Sequence, residues 1–224
     1  MHTGSTQQDR SAPPGEEHAE IEPRWPALLA ILVAGGLYSV LSDELSIGPR
    51  WLLLAIVGLL AIPNLISHQM RRRSFNNVLG FVTEGIVTAF LLTSVVQLVR
   101  ALPGRRISPV ALLYSAGSLW LCNVVIFALW YWRLDGGGPY GRGKDHVEGA
   151  FLFPPMTGDG RKMCDGPWSP RFVDYLFLAF NTSTAFSPTD TPIISRWAKI
   201  LVMVQSLISL TLVGVLAARA VNLL

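Results

Sequence analysis

The sequence predicts an all-α membrane protein with about five transmembrane helices and one re-entrant half-helix. Half of the 224 residues are hydrophobic and 15% are charged, whereas a soluble domain usually carries about 25% charged residues. Five stretches hold almost no charge, Glu84 being their one acidic residue: 25–42, 51–67, 74–99, 109–132 and 200–218. A helix needs about 17–25 such residues to cross a bilayer, so these stretches predict membrane spans.

The first 24 residues predict a disordered tail. They contain Pro13, Pro14 and several glutamates, and they lack the basic leader that a secretory signal places before its apolar stretch. We therefore expect no signal peptide here.

Crossing helices are predicted after this tail at 25–42, 51–67, 76–100, 109–132 and 192–222. The first three form an N-terminal helical unit, 25–108. The last apolar stretch continues to Leu224, the end of the sequence, so we expect no C-terminal regulatory domain.

Residues 133–170 and 171–184 break the series of full-length spans. The first segment is rich in glycine, proline and mixed charges and predicts a loop outside the bilayer. In the second, Ser169-Pro170 predicts a helix start, and Asp174 suits the positive end of the helix dipole. About 14 helical residues rise roughly 21 Å, which is too short to cross. A re-entrant helix is therefore expected at 171–184.

The turn at 182–190 is rich in hydroxyl groups and ends in a carboxylate. Between two apolar helices this pattern favours a lining that faces water, with an ordinary turn as the alternative. Asp190 is either an acidic group at a pore mouth or a cap for the next helix. The candidate residues for an ion path are Thr182, Ser183, Thr184, Ala185, Phe186, Ser187, Pro188, Thr189 and Asp190.

Residues 172–224 resemble the pore module of the potassium-channel superfamily, in which a pore helix leads through a filter to an inner helix. Tyr175 and Phe180 match pore-helix aromatic residues, Thr182 and Thr184 match filter-entry threonines, and Asp190 matches the aspartate after the filter. The resemblance implies a channel-like module at 109–224, with an outer helix at 109–132 and an inner helix at 192–224. It also implies a homo-oligomer, a tetramer if the protein is a channel, and a monovalent cation as partner.

The filter itself departs from the potassium pattern. Ser187 and Thr189 replace the two glycines, and Pro188 replaces the aromatic residue between them. Because glycine permits backbone geometry that other residues resist, we expect poor discrimination between potassium and sodium. The ending also looks like that of uncharacterised bacterial multi-pass membrane proteins with a degenerate pore loop. That resemblance implies a cell membrane, the bacterial inner membrane, as the location.

Three of the polar residues inside the predicted spans are candidate intramembrane sites. Glu84 is a functional candidate because an ionisable group in a membrane is costly; alternatively it reaches the interface or hydrogen-bonds between helices. Asn123 and Gln205 fit hydrogen bonds between helices, although Gln205 could also face water.

No motif in the sequence supports catalysis, a cofactor or a metal site, and the basic residues form no patch for nucleic acid. We therefore expect a protein that is not an enzyme and whose partners are membrane lipid and further copies of itself. A non-conducting scaffold or a small-solute transporter is the alternative to a pore. The positive-inside rule leaves the orientation open, and the channel resemblance implies an external N-terminus.

Overall fold

A computed structural model describes residues 25–46, 48–69, 73–103, 107–140, 149–161, 168–187 and 190–221. The α-helices are α1 Trp25–Tyr38, α2 Leu52–Gln69, α3 Arg73–Ala101, α4 Pro109–Leu134, α5 Gly158–Arg161, α6 Phe172–Thr184 and α7 Arg196–Val221. Short 3-10 helices lie at Asp43–Leu45, Asp135–Tyr140 and Pro154–Met156. The described residues contain no β-strand, and one isolated antiparallel bridge joins Phe151 to Ile193.

Helix α4 is the centre of the bundle. It packs against α1, α3, α6 and α7, while α2 packs against α1 and α3. Its N-terminus is capped by Ser108, whose hydroxyl accepts a hydrogen bond from the Ala111 amide, with Pro109 in the first turn. Leu112, Ala116 and Leu119 are fully buried along it, so apolar packing holds the first half of α4 among its neighbours.

Contacts at two ends of the bundle define the directions of α1, α3, α4 and α7. At one end, which we call the loop end, α4 finishes and α6 and α7 begin. At the opposite end, the amide of Ser42, which follows α1, lies 3.4 Å from the Ser115 hydroxyl near the start of α4. There Arg219 of α7 donates to the carbonyl of Leu102, which follows α3.

Three helical stretches are long and apolar enough to cross a membrane: Val78–Ala101, Pro109–Pro139 and Arg196–Val221. Helix α1 is apolar but has only 14 residues. Large apolar side chains are exposed on several helices, among them Leu29, Phe81, Leu92, Phe177, Leu207 and Leu210. Such extensive exposed apolar surface marks contact with a membrane or a partner, and together with the three long apolar helices it is compatible with a membrane protein.

The first helix is shorter than predicted. We expected helix over 25–42, but α1 ends at Tyr38 and is followed by irregular residues and the 3-10 turn at Asp43–Leu45. The Ser39 hydroxyl donates to the carbonyl of Gly36 at 2.6 Å. Serine side chains compete in this way for backbone groups, and this bond lies at the end of the helix.

Candidate functional site

Helix α6 begins two residues later than its cap signal suggested. Ser169 was expected to cap the helix with Pro170 in the first turn, but the helix starts at Phe172 with Arg171 as its N-cap. The Asp174 carboxylate accepts a hydrogen bond from the Arg171 amide at 2.7 Å. Asp174 therefore occupies the first turn as predicted, where its charge also suits the helix dipole.

Helix α6 runs from the loop end into the bundle, and the chain that follows it returns to the same end. Near its start, the Tyr175 hydroxyl donates to Asp135, directly after α4. Near its finish, Ser183 contacts Gln205, the tenth residue of α7 and thus about 14 Å along that helix. Residues 192–194 then pair with 150–152 back at the loop end. With 13 residues, α6 reaches about halfway along its neighbours.

A buried hydrogen-bond network centred on Gln205 holds the inner part of α6. The Gln205 side-chain amide donates to the carbonyl of Ala179 at 2.8 Å and to the hydroxyl of Ser183 at 2.9 Å. Its oxygen accepts a bond from the Tyr131 hydroxyl of α4. All four residues are buried, so one glutamine joins three helices.

Asn123 extends this network along α4. Its side-chain nitrogen donates to the Ser209 hydroxyl at 2.8 Å and to the carbonyl of Gln205 at 3.3 Å. Asn123, Gln205 and Ser209 are all 0% exposed. Of the two interpretations of Gln205, the observed contacts are those of hydrogen bonding between helices.

Asp135 anchors the outer part of α6. Its carboxylate is buried and accepts hydrogen bonds from the Tyr175 hydroxyl and from the Ala150 amide. After Asp135 the chain turns through Gly136, Gly137 and Gly138, all with positive φ. A Cβ at Gly138 would lie 2.6 Å from the carbonyl oxygen of Arg133. The glycine run is therefore required by this tight turn.

An aromatic cluster covers the same region. Phe151 is 1% exposed, and its ring lies 5.1 Å from that of Tyr131 and 6.2 Å from those of Tyr175 and Trp197. Edge-to-face contacts of this kind stabilise packing beyond area burial. The described loop segment around Phe151 is thus packed onto α6 and α7.

The predicted ion-path residues fall into two groups. Thr182 and Ser183 are fully buried; the Thr182 hydroxyl donates to the carbonyl of Leu178, and Ser183 accepts from Gln205. The exposed group is Thr184, Ala185, Phe186, Ser187 and Asp190. Pro188 and Thr189 lie outside the described residues.

The exposed turn contains one unusual backbone geometry. Phe186 has φ 53°, and among the described residues it is the one non-glycine residue with a positive φ. For a bulky residue this left-handed region is strained, at a cost of roughly 1–2 kcal/mol. Such strain persists where the surrounding structure imposes it and is concentrated at functional sites.

Glu84 forms a buried ion pair with Arg133. The Arg133 Nε lies 2.6 Å from the Glu84 Oε1, and the two side chains are 8% and 1% exposed. The other carboxylate oxygen, Oε2, is buried without a hydrogen-bond partner in the described part of the chain. Of the interpretations given to Glu84, the observed contact is a bond between helices, α3 and α4.

Sequence reasoning missed the partners of the polar residues that it singled out. Arg133 and Asp135 were assigned to the loop after the fourth span, yet Arg133 lies in the last turn of α4 and both are buried. The three glycines after Asp135 were the available signal, because such a run permits a turn that folds back onto its helix.

No metal-binding group is formed by three or more His, Cys, Asp or Glu side chains in the described ranges. Comparisons of the chain with protein-family models, with curated proteins and with solved structures find no match in any of the three. The geometry of α6 and its turn therefore carries the functional argument.

Proposed function

We propose that this protein is a homo-oligomeric membrane pore for monovalent cations, in which α6 of several copies converges on a common axis. Five helices, α1 to α4 and α7, cross the membrane in this arrangement, and α6 is a re-entrant half-helix. The ion path is formed by Thr184, Ala185, Phe186, Ser187 and Asp190.

The exposed turn after α6 is the observation that carries this proposal. Residues 184–187 follow directly after Ser183, which bonds to the middle of α7, and all four are exposed in the single chain. Irregular backbone at membrane depth is tolerated only where protein buries it or where it lines water. Neighbouring copies around a water-filled axis satisfy that requirement, whereas lipid does not.

The network behind the turn supports a fixed pore lining. Gln205 and Asp135 hold α6 near its two ends through Ser183 and Tyr175. Groups held in place by such bonds are preorganised, which suits a site where ions exchange their hydration shell for protein oxygens. Four copies are the number implied by the channel resemblance.

Asp190 gives the pore its preference for cations. It is exposed and lies between the turn and the return to the loop end. A ring of such carboxylates raises the local cation concentration at a mouth. Ser187 stands where a potassium filter has glycine, and it follows the strained Phe186. Because the filter glycine is replaced, we expect potassium and sodium to pass at comparable rates.

Cation flux into liposomes that contain the purified protein tests this function. Asp190→Asn should lower the flux severalfold at low ionic strength and less at high salt, because exposed charges are screened there. Asp43→Asn, at an exposed carboxylate on the opposite end of the bundle, is the matched control and should leave the flux unchanged. A wild-type protein that carries no ions at any voltage or pH contradicts the proposal, and strong potassium selectivity contradicts the expected lack of discrimination.

A further inference from the structure

We infer that Glu84 and Arg133 are positioning residues through which α3 holds the half-helix α6. The ion pair that they form joins α3 to α4. The functional consequence rests on the proposed pore, whereas the mechanical link is a property of the fold and can be tested without conduction.

The contact between α3 and α4 at the loop end is built around the Arg133 side chain. Its guanidinium pairs with Glu84 at 2.6 Å and lies 5.6 Å from the centre of the Phe81 ring. A Cβ on Gly80 would lie 2.1 Å from Nη1, so the arginine passes directly over the backbone of α3. Glycine at position 80 is what permits this approach.

A second bond reinforces the same contact one turn further along α3. The Trp130 indole donates to the Thr88 hydroxyl at 2.9 Å, and that hydroxyl donates to the carbonyl of Glu84 at 2.6 Å. The Trp130 ring also lies 6.1 Å from that of Phe81. The last turns of α4 are therefore held to α3 by several specific contacts.

The end of α4 connects this contact to α6 within two residues. Arg133 faces α3, and Asp135 binds the Tyr175 hydroxyl of α6 and the Ala150 amide of the loop. Directly before Arg133, the Trp132 ring meets Phe172 of α6 edge to face at 6.1 Å. A shift of the α4 terminus relative to α3 must therefore move the groups that hold the start of α6.

Buried ion pairs are well suited to such a link because they tolerate little displacement. A buried charge that loses its partner is left uncompensated, so the pair favours one arrangement of α3 and α4. The N-terminal helical unit thereby has a role in the geometry of the pore turn, beyond anchoring the chain in the membrane.

Hydrogen exchange of the full chain in lipid nanodiscs tests the link. Glu84→Gln keeps the shape of the side chain and removes its charge. We expect the amides of 172–184 and 149–153 to exchange about tenfold faster, since local opening reports the support that a segment loses. Tyr175→Phe, which removes the next bond in the chain of contacts, should accelerate the same segments with the ion pair intact.

The exposed Asp43–Arg50 pair supplies the matched control. Hydrogen bonds from Arg50 hold the pKa of the Asp43 carboxyl below its usual value, so Asp43→Asn also removes a real charge. Because this pair is exposed and lies at the opposite end, the exchange of 172–184 should stay unchanged. Acceleration confined to α3 and α4 in Glu84→Gln would show that the pair has only a local role and would overturn the inference.

Gly80→Ala provides a second, independent variant that keeps both charges and displaces the guanidinium. It should accelerate 172–184 as Glu84→Gln does. If neither variant yields folded protein, the pair is required for folding and the positioning role is overturned. Ion flux measured on the same samples separates the two proposals: a wild type without flux removes the pore, while the exchange data still decide the link.

Discussion

The two faces of α6 have opposite characters. The inner face presents Tyr175, Ala179 and Ser183, which are buried and bound to Asp135 or Gln205. The outer face presents Val173, Phe177, Phe180 and Thr184, all of them exposed. A single copy therefore buries one face of the helix and leaves the other largely exposed.

The inner face of α6 holds the helix in the bundle, whereas the outer face is exposed to whatever surrounds the single chain. Polar contacts on the inner face determine its depth and rotation in the bundle. The outer face ends in the irregular residues 185–187, which lipid cannot hydrogen-bond. In the proposed pore, the helical part of this face can contact lipid or another copy, whereas residues 185–187 require protein or water. Substitutions on the two faces should therefore separate stability from assembly.

Gln205→Leu should produce the largest loss of stability. Leucine is similar in size but leaves the buried Tyr131 hydroxyl without its acceptor and Ser183 without its donor. Each unsatisfied buried group costs about 1–3 kcal/mol, and measured bonds between membrane helices average less, so we expect a total of about 2 kcal/mol. Denaturant titration in detergent micelles measures the change.

Met203→Leu is the control for this substitution. Met203 lies on the exposed side of the same helix, at 57% exposure, and its replacement should change the unfolding free energy by less than about 0.5 kcal/mol. Equal effects of the two substitutions would show that the Gln205 network does not stabilise the bundle.

The adjacent hydroxyl groups of Ser183 and Thr184 should differ less in their effect on the unfolding free energy, but they compare the two faces of α6 directly. Ser183→Ala removes a buried acceptor of Gln205 and should lower the unfolding free energy by about 1 kcal/mol. Thr184→Ala removes an exposed hydroxyl that bonds only to its own helix among the contacts described and should change it by less than about 0.5 kcal/mol. Unfolding titrations of both variants under one condition make the comparison. If Thr184→Ala were the more damaging change, the assignment of the two faces would be wrong.

The sequence predicted the helices well because their signals are local. Apolar runs bounded by charged or breaking residues indicated α3, α4 and α7, and a short run before Pro188 indicated α6. The polar network could not be predicted in the same way. Asn123 and Gln205 were expected to hydrogen-bond between helices, but the sequence did not indicate their partners, since residues 123 and 209 are 86 residues apart along the chain.

Glu84 shows where such reasoning stops. Its partner Arg133 lies 49 residues away and was assigned to the loop at 133–170, because that segment is rich in glycine, proline and mixed charges. Only the packing of α3 against α4 brings the two side chains together. The division of Thr182 to Ser187 into buried and exposed groups likewise depends on the rotation of α6, which contacts with α4 and α7 determine.

Cross-linking at Phe186 tests most directly whether copies of α6 converge. Phe186 is exposed in the turn, and Cys122 is buried. In a chain carrying Cys164→Ser, Phe186→Cys should form covalent dimers under mild oxidation in membranes, whereas Leu29→Cys, on an exposed face of α1, should remain monomeric. Folded protein in which neither position cross-links, or in which only position 29 does, would contradict the convergence of α6 on a common axis.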